Sequence, residues 1–364
     1  MVERGPKTTP IVKSEDNQWI QDNLMKGKCR VSPASENLIV HLADGSRPWY
    51  ERYQVMSYNL TTRSGDEQEF ANMTRRIYVD VVVNHMTGEN KENVGTGGST
   101  VDFKKGQYYG ARVCELVGLK DLNQTKEYVR DKIGEYFNNL VKLGVAGFRV
   151  DAAKHMFPSD LKVIYDGVNN LSTSYGFKPN SRPYIFQEVH SGSGAIKHSD
   201  YTPLGDVTEF RVGSELKRSF SGNNPLKWLV SWGERWNLSP SDKVLVFIDN
   251  HDTQRTDDVL TYKESRAYKA AIAFMLAHPY GSPRVMSSFF FNLSDGALQE
   301  PGERHSRTEL GVYCDVITGT RSGQSCSGTN VTVQNDGTAN IRLRGNAEDI
   351  VLAIHVGTQV TILQ

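Results

Sequence analysis

The stretch Gly147–His155, reading GFRVDAAKH, sets an arginine, an aspartate, a lysine and a histidine at the end of an apolar run. A strand over Val145–Val150 predicts Arg149 and Asp151 on one face, because strand side chains alternate with period two. A cation two positions before a carboxylate on one face is either a site or a structural ion pair. Three further stretches with the same grammar weigh toward a site.

Working outward, Arg76–Val83 (RIYVDVVV) is a near-continuous apolar run, as expected of a strand buried on both faces of a parallel sheet, and it ends in Asn84-His85-Met86. Pro183–Phe186 runs into Gln187-Glu188-Val189-His190, and Lys243–Ile248 runs into Asp249-Asn250-His251-Asp252. Asp206–Phe210 reads as another strand. Between these lie segments of helical spacing: Lys126–Leu143, with a stripe of Val129, Ile133, Phe137, Leu140 and Val141, then Leu161–Leu171, Leu226–Trp236 and Ser265–Ala277, the last leading to Arg284-Val285-Met286. Alternating strands and helices with polar residues at strand C-termini predict a parallel α/β barrel whose active site lies on that rim. An open doubly wound sheet is the alternative, but no Gly-rich phosphate loop accompanies it.

The flanks differ. Residues 1–26 read as an irregular leader, Lys28–Ser32 as a short strand, and Ser46–Tyr53 (SRPWYERY) as an aromatic-rich loop. There Trp49, Tyr50 and Tyr53 either stack on a sugar or simply pack the loop. The barrel is expected over 27–291, with an excursion at 87–122, and 292–364 as a partial all-β module of short alternating segments such as Asn330–Val333, Ala339–Leu343 and Ile350–Val356.

Lys+Arg and Asp+Glu are both 42 in 364 residues, so the net charge is zero and a nucleic-acid partner is not expected. No apolar run approaches the roughly 20 residues of a bilayer span, so no membrane partner is expected either. The first residues carry no apolar signal-peptide core, which taken literally means cytosol. Against that stand Asn-x-Ser/Thr sequons, including Asn59, Asn72, Asn170 and Asn330, and a Cys314/Cys326 pair spaced to close a small loop. Cys29 and Cys114 complete the cysteines, without metal-type clustering.

Three carboxylates, Asp151, Glu188 and Asp252, sit at three strand ends. Glycoside hydrolysis needs such a pair across the scissile bond, about 5–5.5 Å apart in retaining enzymes. RIYVDVVVNHMTG, GFRVDAAKHM, FQEV and FIDNHDTQR, in that order, resemble the four signature regions of the α-amylases. RPWYERYQ, FMLAHPYG and RVMSS resemble the animal, chloride-dependent branch. The resemblance runs from Cys29 to Ser288, and the tail from YCDVITGT is similar to the end of that family's C-terminal β-domain.

The resemblance implies endo-hydrolysis of α-1,4 bonds in starch, glycogen and maltooligosaccharides by a retaining double displacement, in a secreted monomer. It implies Asp151 as nucleophile, Glu188 as general acid and then base, and Asp252 as support for the sugar and the oxocarbenium-like transition state. His85, His251 and Lys154 would bind sugar, with Asp80 supporting from its strand. Trp49 and Tyr53 match aromatic subsite positions, and Tyr50 stands where the family usually has a second tryptophan. A chloride is implied by Arg149, Asn250 and Arg284, raising the pKa of the acid. A calcium is implied by Asn84 and Asp121 with the carbonyls of Arg112 and His155.

The chain also departs from the family. The first barrel strand has no counterpart before Cys29, the segment between Met73 and Arg76 is short, and the excursion is reduced. Cys114 lacks its family partner. After Ser288 the last barrel helix and most of the C-terminal domain are skipped. Removing a strand leaves two open edges in a structure whose tilt, shear and strand number must agree. The chain is therefore expected to be a truncated α-amylase with an incomplete (β/α)8 barrel, and its alternative function is glucan binding without turnover.

Overall fold

The apolar runs before Asn84 and Asp151 become neighbouring parallel strands. The computed structural model describes residues 33–42, 47–62, 64–73, 77–88, 94–100, 116, 118–190, 196–286, 318–319, 321–322 and 325–330. Two units divide the chain, one over Met1–His41 and Tyr50–Glu188, the other over Leu42–Trp49 and Val189–Gln364.

In the first unit, β1 (Glu36–Asn37) pairs antiparallel with β2 (Val55–Ser57), and α1 (Glu67–Met73) follows. β3 (Tyr78–Val81) then leads directly into β4 (His85–Gly88), which pairs antiparallel with β5 (Leu119–Asp121) and so closes the base of the excursion. α2 (Glu127–Lys142) buries Ile133, Tyr136, Phe137, Leu140 and Val141. That is the expected stripe, with Tyr136 buried in addition and Val129 only half-buried. Gly144, at φ +100°, turns the chain out of α2 in a conformation that disfavours other residues.

β6 (Gly147–Val150) then lies between β3 and β7 (Tyr184–Gln187), parallel to both, with Asp80 opposite Arg149 and Arg149 opposite Phe186. Gly147 is needed here. A Cβ would stand 2.3 Å from the Tyr184 carbonyl oxygen and 2.9 Å from the Tyr78 ring. Phe148 and Val150, fully buried, and Phe186 form the core of this sheet. Between β6 and β7 the helix α3 spans Pro158–Asp166, earlier than the expected Leu161–Leu171. Pro158 favours the first helical turn, where its missing N–H costs nothing.

In the second unit, β8 (Asp206–Thr208), β9 (Val244–Val246) and β10 (Ser282–Pro283) pair in parallel, β9 in the middle. α4 (Arg211–Phe220) and α5 (Ser265–Ala277) accompany them, α5 with its expected bounds. The expected helix over Leu226–Trp236 is instead two short 3-10 turns, Leu226–Ser231 and Glu234–Trp236. Gly233, at φ +117°, breaks them apart. Lys28–Ser32 and the strand segments expected after Asn330 lie outside the described residues.

Candidate active site

In the first unit the strand ends deliver four charged side chains to one cluster. Arg149 Nη1 donates to Asp80 Oδ1 and Oδ2 at 2.9 and 2.8 Å and to Asp151 Oδ1 at 2.6 Å. Its Nη2 pairs with Glu188 Oε1 at 2.8 Å. The β3–β6 register puts Asp80 beside Arg149, and the period-two alternation puts Asp151 on the same face, as expected. The arginine side chain is 4% exposed, Asp80 is fully buried and Glu188 keeps 17% exposure. Burial alone would lower the Arg149 pKa, but Asp80, Glu188 and Asp151 outweigh it and hold the guanidinium well above its ordinary value. The cation is permanent, and it serves three carboxylates.

Glu188 is also fixed by the main chain. Its Oε2 accepts the Ala152 N–H at 2.8 Å, and its carbonyl accepts the Lys154 N–H at 3.3 Å. Ala152 is left-handed at φ 49°, so the chain bends sharply just after Asp151.

Tyr53 and His85 line the same cluster. The Tyr53 hydroxyl donates to Asp80 Oδ2 at 2.9 Å, and its ring lies 5.9 Å from the Arg149 guanidinium carbon. Its carbonyl meets His85 Nε2 at 3.1 Å. A carbonyl only accepts, so Nε2 carries the proton and Nδ1 accepts from Asn84 Nδ2 at 3.3 Å. Burial pushes the His85 imidazolium down to about 4, so the ring is neutral at physiological pH. Tyr50, Lys154 and His155 are half-buried in this unit.

Of the residues implied for calcium, Asn84 and Asp121 are buried and meet, Asn84 Nδ2 donating to Asp121 Oδ1 at 3.2 Å. Arg112 lies outside the described residues. Among those described, no three His, Cys, Asp or Glu side chains gather as a metal cluster. A cation here would rely on amide, main-chain and single-carboxylate oxygens, a donor set that fits calcium.

In the second unit, Asn250 organises the loop that carries Asp252. Its Oδ1 accepts the Asp252 and Thr253 N–H groups at 3.0 and 2.8 Å and the Thr253 hydroxyl at 3.0 Å. His251 Nε2 stands 3.4 Å from Asp252 Oδ2, and the His251 ring meets Trp49 edge-on at 5.8 Å. Arg255 covers the Trp49 ring, its guanidinium carbon 4.6 Å from the centroid. Arg284, half-buried, is fixed through its N–H on the Val246 carbonyl.

Two acidic residues here go beyond those expected. Glu209 follows β8 as Glu188 follows β7, so the same strand-end pattern picks it out. It is fully buried, and burial pushes its carboxyl up. The fork from Arg211 and the Ser239 N–H outweigh that and hold it below the usual carboxylate range. Asp249 is buried beside Asn250, with Oδ1 accepting the Tyr268 hydroxyl at 2.7 Å and Oδ2 without a hydrogen-bond partner. No sequence signal marks Asp249 apart from its neighbours.

Paired acids held on parallel strand ends by one buried cation, in an α/β fold of the barrel type, suit the carboxylate pair that glycoside hydrolysis needs. No protein-family model matches the chain. It is 41% identical to the α-amylase of Tenebrio molitor, over 92% of each chain, and 41% identical to that of Tribolium castaneum, over 92% of this chain and 89% of the other. Among solved structures, the wild-type α-amylase I of Eisenia fetida superposes with a TM-score of 0.78 at 31% identity, covering 94% of both chains, and a mutant of that enzyme, solved with maltohexaose, matches equally. The chain belongs to the α-amylase family. The alignment with the Tenebrio enzyme runs over 440 positions, more than the 364 residues of this chain, so that relative carries internal segments with no counterpart here.

Proposed function

We propose that the chain hydrolyses internal α-1,4 bonds of starch, glycogen and maltooligosaccharides with retention at the anomeric carbon. The observation that carries this reading is the single guanidinium of Arg149 joined to both Asp151 and Glu188. Asp151 attacks the anomeric carbon as the glycosidic C–O bond breaks, and Glu188 gives its proton to the leaving oxygen. Water then attacks the glycosyl-enzyme ester while Glu188 takes a proton from it, releasing the sugar and restoring both acids. Arg149 holds Asp151 in place through the 2.6 Å bond. Neutral His85, together with Lys154 and His251, binds sugar hydroxyls, and Trp49, Tyr50 and Tyr53 supply aromatic surface. Asp252 is assigned to the sugar and the developing positive charge, on a loop kept rigid by Asn250.

Asn84 and Asp121, with the carbonyls of Arg112 and His155, would hold calcium, which supplies rigidity to the excursion. Arg149, Asn250 and Arg284 would hold chloride, which disfavours the ionised form of Glu188. Residues 27–291 form the catalytic domain in this reading, with the excursion at 87–122 and a partial all-β domain at 292–364. The protein is a secreted monomer, and Cys326, which is disulfide-bonded, pairs with Cys314.

The test is release of reducing ends from soluble starch, with calcium and chloride present and each withdrawn, against Glu188→Gln. Activity that needs both ions and vanishes in the control supports the reading. A folded, monomeric chain without activity overturns it in favour of glucan binding without turnover. The segments missing relative to the Tenebrio enzyme favour that second reading, because catalysis tolerates only small displacement of its groups. Titrating glucan onto Asp151→Asn and the unmutated chain separates the two.

A further inference from the structure

Arg149 has one guanidinium to divide among Asp80, Asp151 and Glu188, and the division is uneven. Nη1 alone meets both oxygens of Asp80 and one of Asp151. Asp80 is fully buried, so nothing from solvent moderates its pull. The Tyr53 hydroxyl lands on Oδ2 of Asp80 at 2.9 Å, the same oxygen that Nη1 reaches at 2.8 Å. A neutral donor there takes up part of the carboxylate's charge and leaves more of the cation for Asp151.

We propose that Tyr53 is a positioning residue for Asp151 and Glu188, acting through its hydroxyl on Asp80 and thereby on Arg149. The inference rests on the hydrolase reading above, and it is distinct from any contact between the Tyr53 ring and sugar. The hydroxyl is aimed from both ends of the residue. Tyr53 closes the 3-10 turn Trp49–Tyr53, and its carbonyl is held by His85 Nε2. Tyr53 is half-buried and its ring lies 5.9 Å from the guanidinium carbon, a contact that survives removal of the hydroxyl. Without the hydroxyl, Asp80 draws the guanidinium toward itself and the 2.6 Å bond to Asp151 lengthens.

Tyr53→Phe tests this, since it keeps the ring. On soluble starch, kcat should fall about ten- to a hundredfold while KM stays within about twofold, as expected when groups acting in the transition state are displaced by a fraction of an ångström. Tyr53→Leu, which loses ring and hydroxyl, should show the same loss in kcat together with a raised KM. A crystal structure of Tyr53→Phe should show Arg149 Nη1 out of hydrogen-bond reach of Asp151. An unchanged kcat, or a change confined to KM, would overturn the proposal. If the wild-type chain hydrolyses no starch, the functional reading fails on its own, and the crystal structure decides alone: an intact Arg149–Asp151 bond refutes the positioning role, and an opened one upholds it.

Discussion

The carboxylate of Glu188 accepts the backbone N–H of Ala152 at 2.8 Å, which latches the acid to the residue immediately after Asp151. The two acids proposed for catalysis are thereby tied to one turn of main chain. Glu188→Gln keeps one acceptor oxygen, enough for the Ala152 latch or for Arg149 Nη2 but not both, and loses the titratable proton. It should still fold, with a lowered melting temperature, and lose about 10²–10⁴-fold in kcat on starch. A substrate whose leaving group needs no protonation, such as an α-maltosyl fluoride, should recover most of the glycosylation rate. Failure of that substrate to react faster than starch would argue against Glu188 as the proton donor.

Arg149 is the shared cation of three carboxylates, so the stability of the cluster depends on it. Arg149→Ala leaves the buried Asp80 carboxylate without its cation, and breaking a buried pair in this way costs about 3–5 kcal/mol. Urea denaturation should show that loss. Asp80→Asn in the same background should recover part of it, because the stranded charge is then removed. Additive losses in the double variant would mean that the two side chains do not depend on each other.

Much of this site could be read before the fold. In the Arg149 cluster, Asp80 lies within an apolar run and Asp151 and Glu188 follow theirs, and period-two alternation was enough to put Arg149 and Asp151 on one face. Which carboxylates the arginine would serve could not be read, because Asp80 lies 69 residues away and only the β3–β6 register brings it alongside. The hydroxyl of Tyr53 was illegible for the same reason. Among the elements, Arg211–Phe220 buries only Val212, Gly213, Leu216 and Ser219, a stripe too thin and too polar to announce a helix. Leu226–Trp236 shows the opposite case, since its apolar content suggests a helix that Gly233 interrupts.

Asp249 gives a pH dependence with a definite sign. Burial pushes its carboxyl up to about 6 from the ordinary 3.8, with the Tyr268 hydroxyl pulling the other way. The folded state therefore holds a proton that the unfolded chain has released. This contribution to stability is fully present below pH 3.8 and is lost as pH rises through about 6. Asp249→Asn retains an acceptor for Tyr268 and cannot ionise. It should exceed the wild type by about 3 kcal/mol near pH 7.5 and converge with it toward pH 4, measured by urea denaturation across that range. A constant offset at every pH would show that Asp249 does not titrate in this window.

Calcium removal should act through Asp121. Asn84 and Asp121 come together where β4 pairs with β5, at the base of the excursion, so an ion held there would brace the segment that follows His85. A ligand that binds only the folded state at about 100 times its Kd adds about 2.7 kcal/mol of stability. Chelation should therefore lower the melting temperature of the wild type by several degrees, reversibly on adding calcium back. Asp121→Ala should melt where the chelated wild type does and ignore added calcium, because the one carboxylate in the set is gone. Scanning calorimetry of both proteins with and without chelator decides it: a wild type indifferent to chelation, with Asp121→Ala still destabilised, would reduce the Asn84–Asp121 contact to a plain structural hydrogen bond.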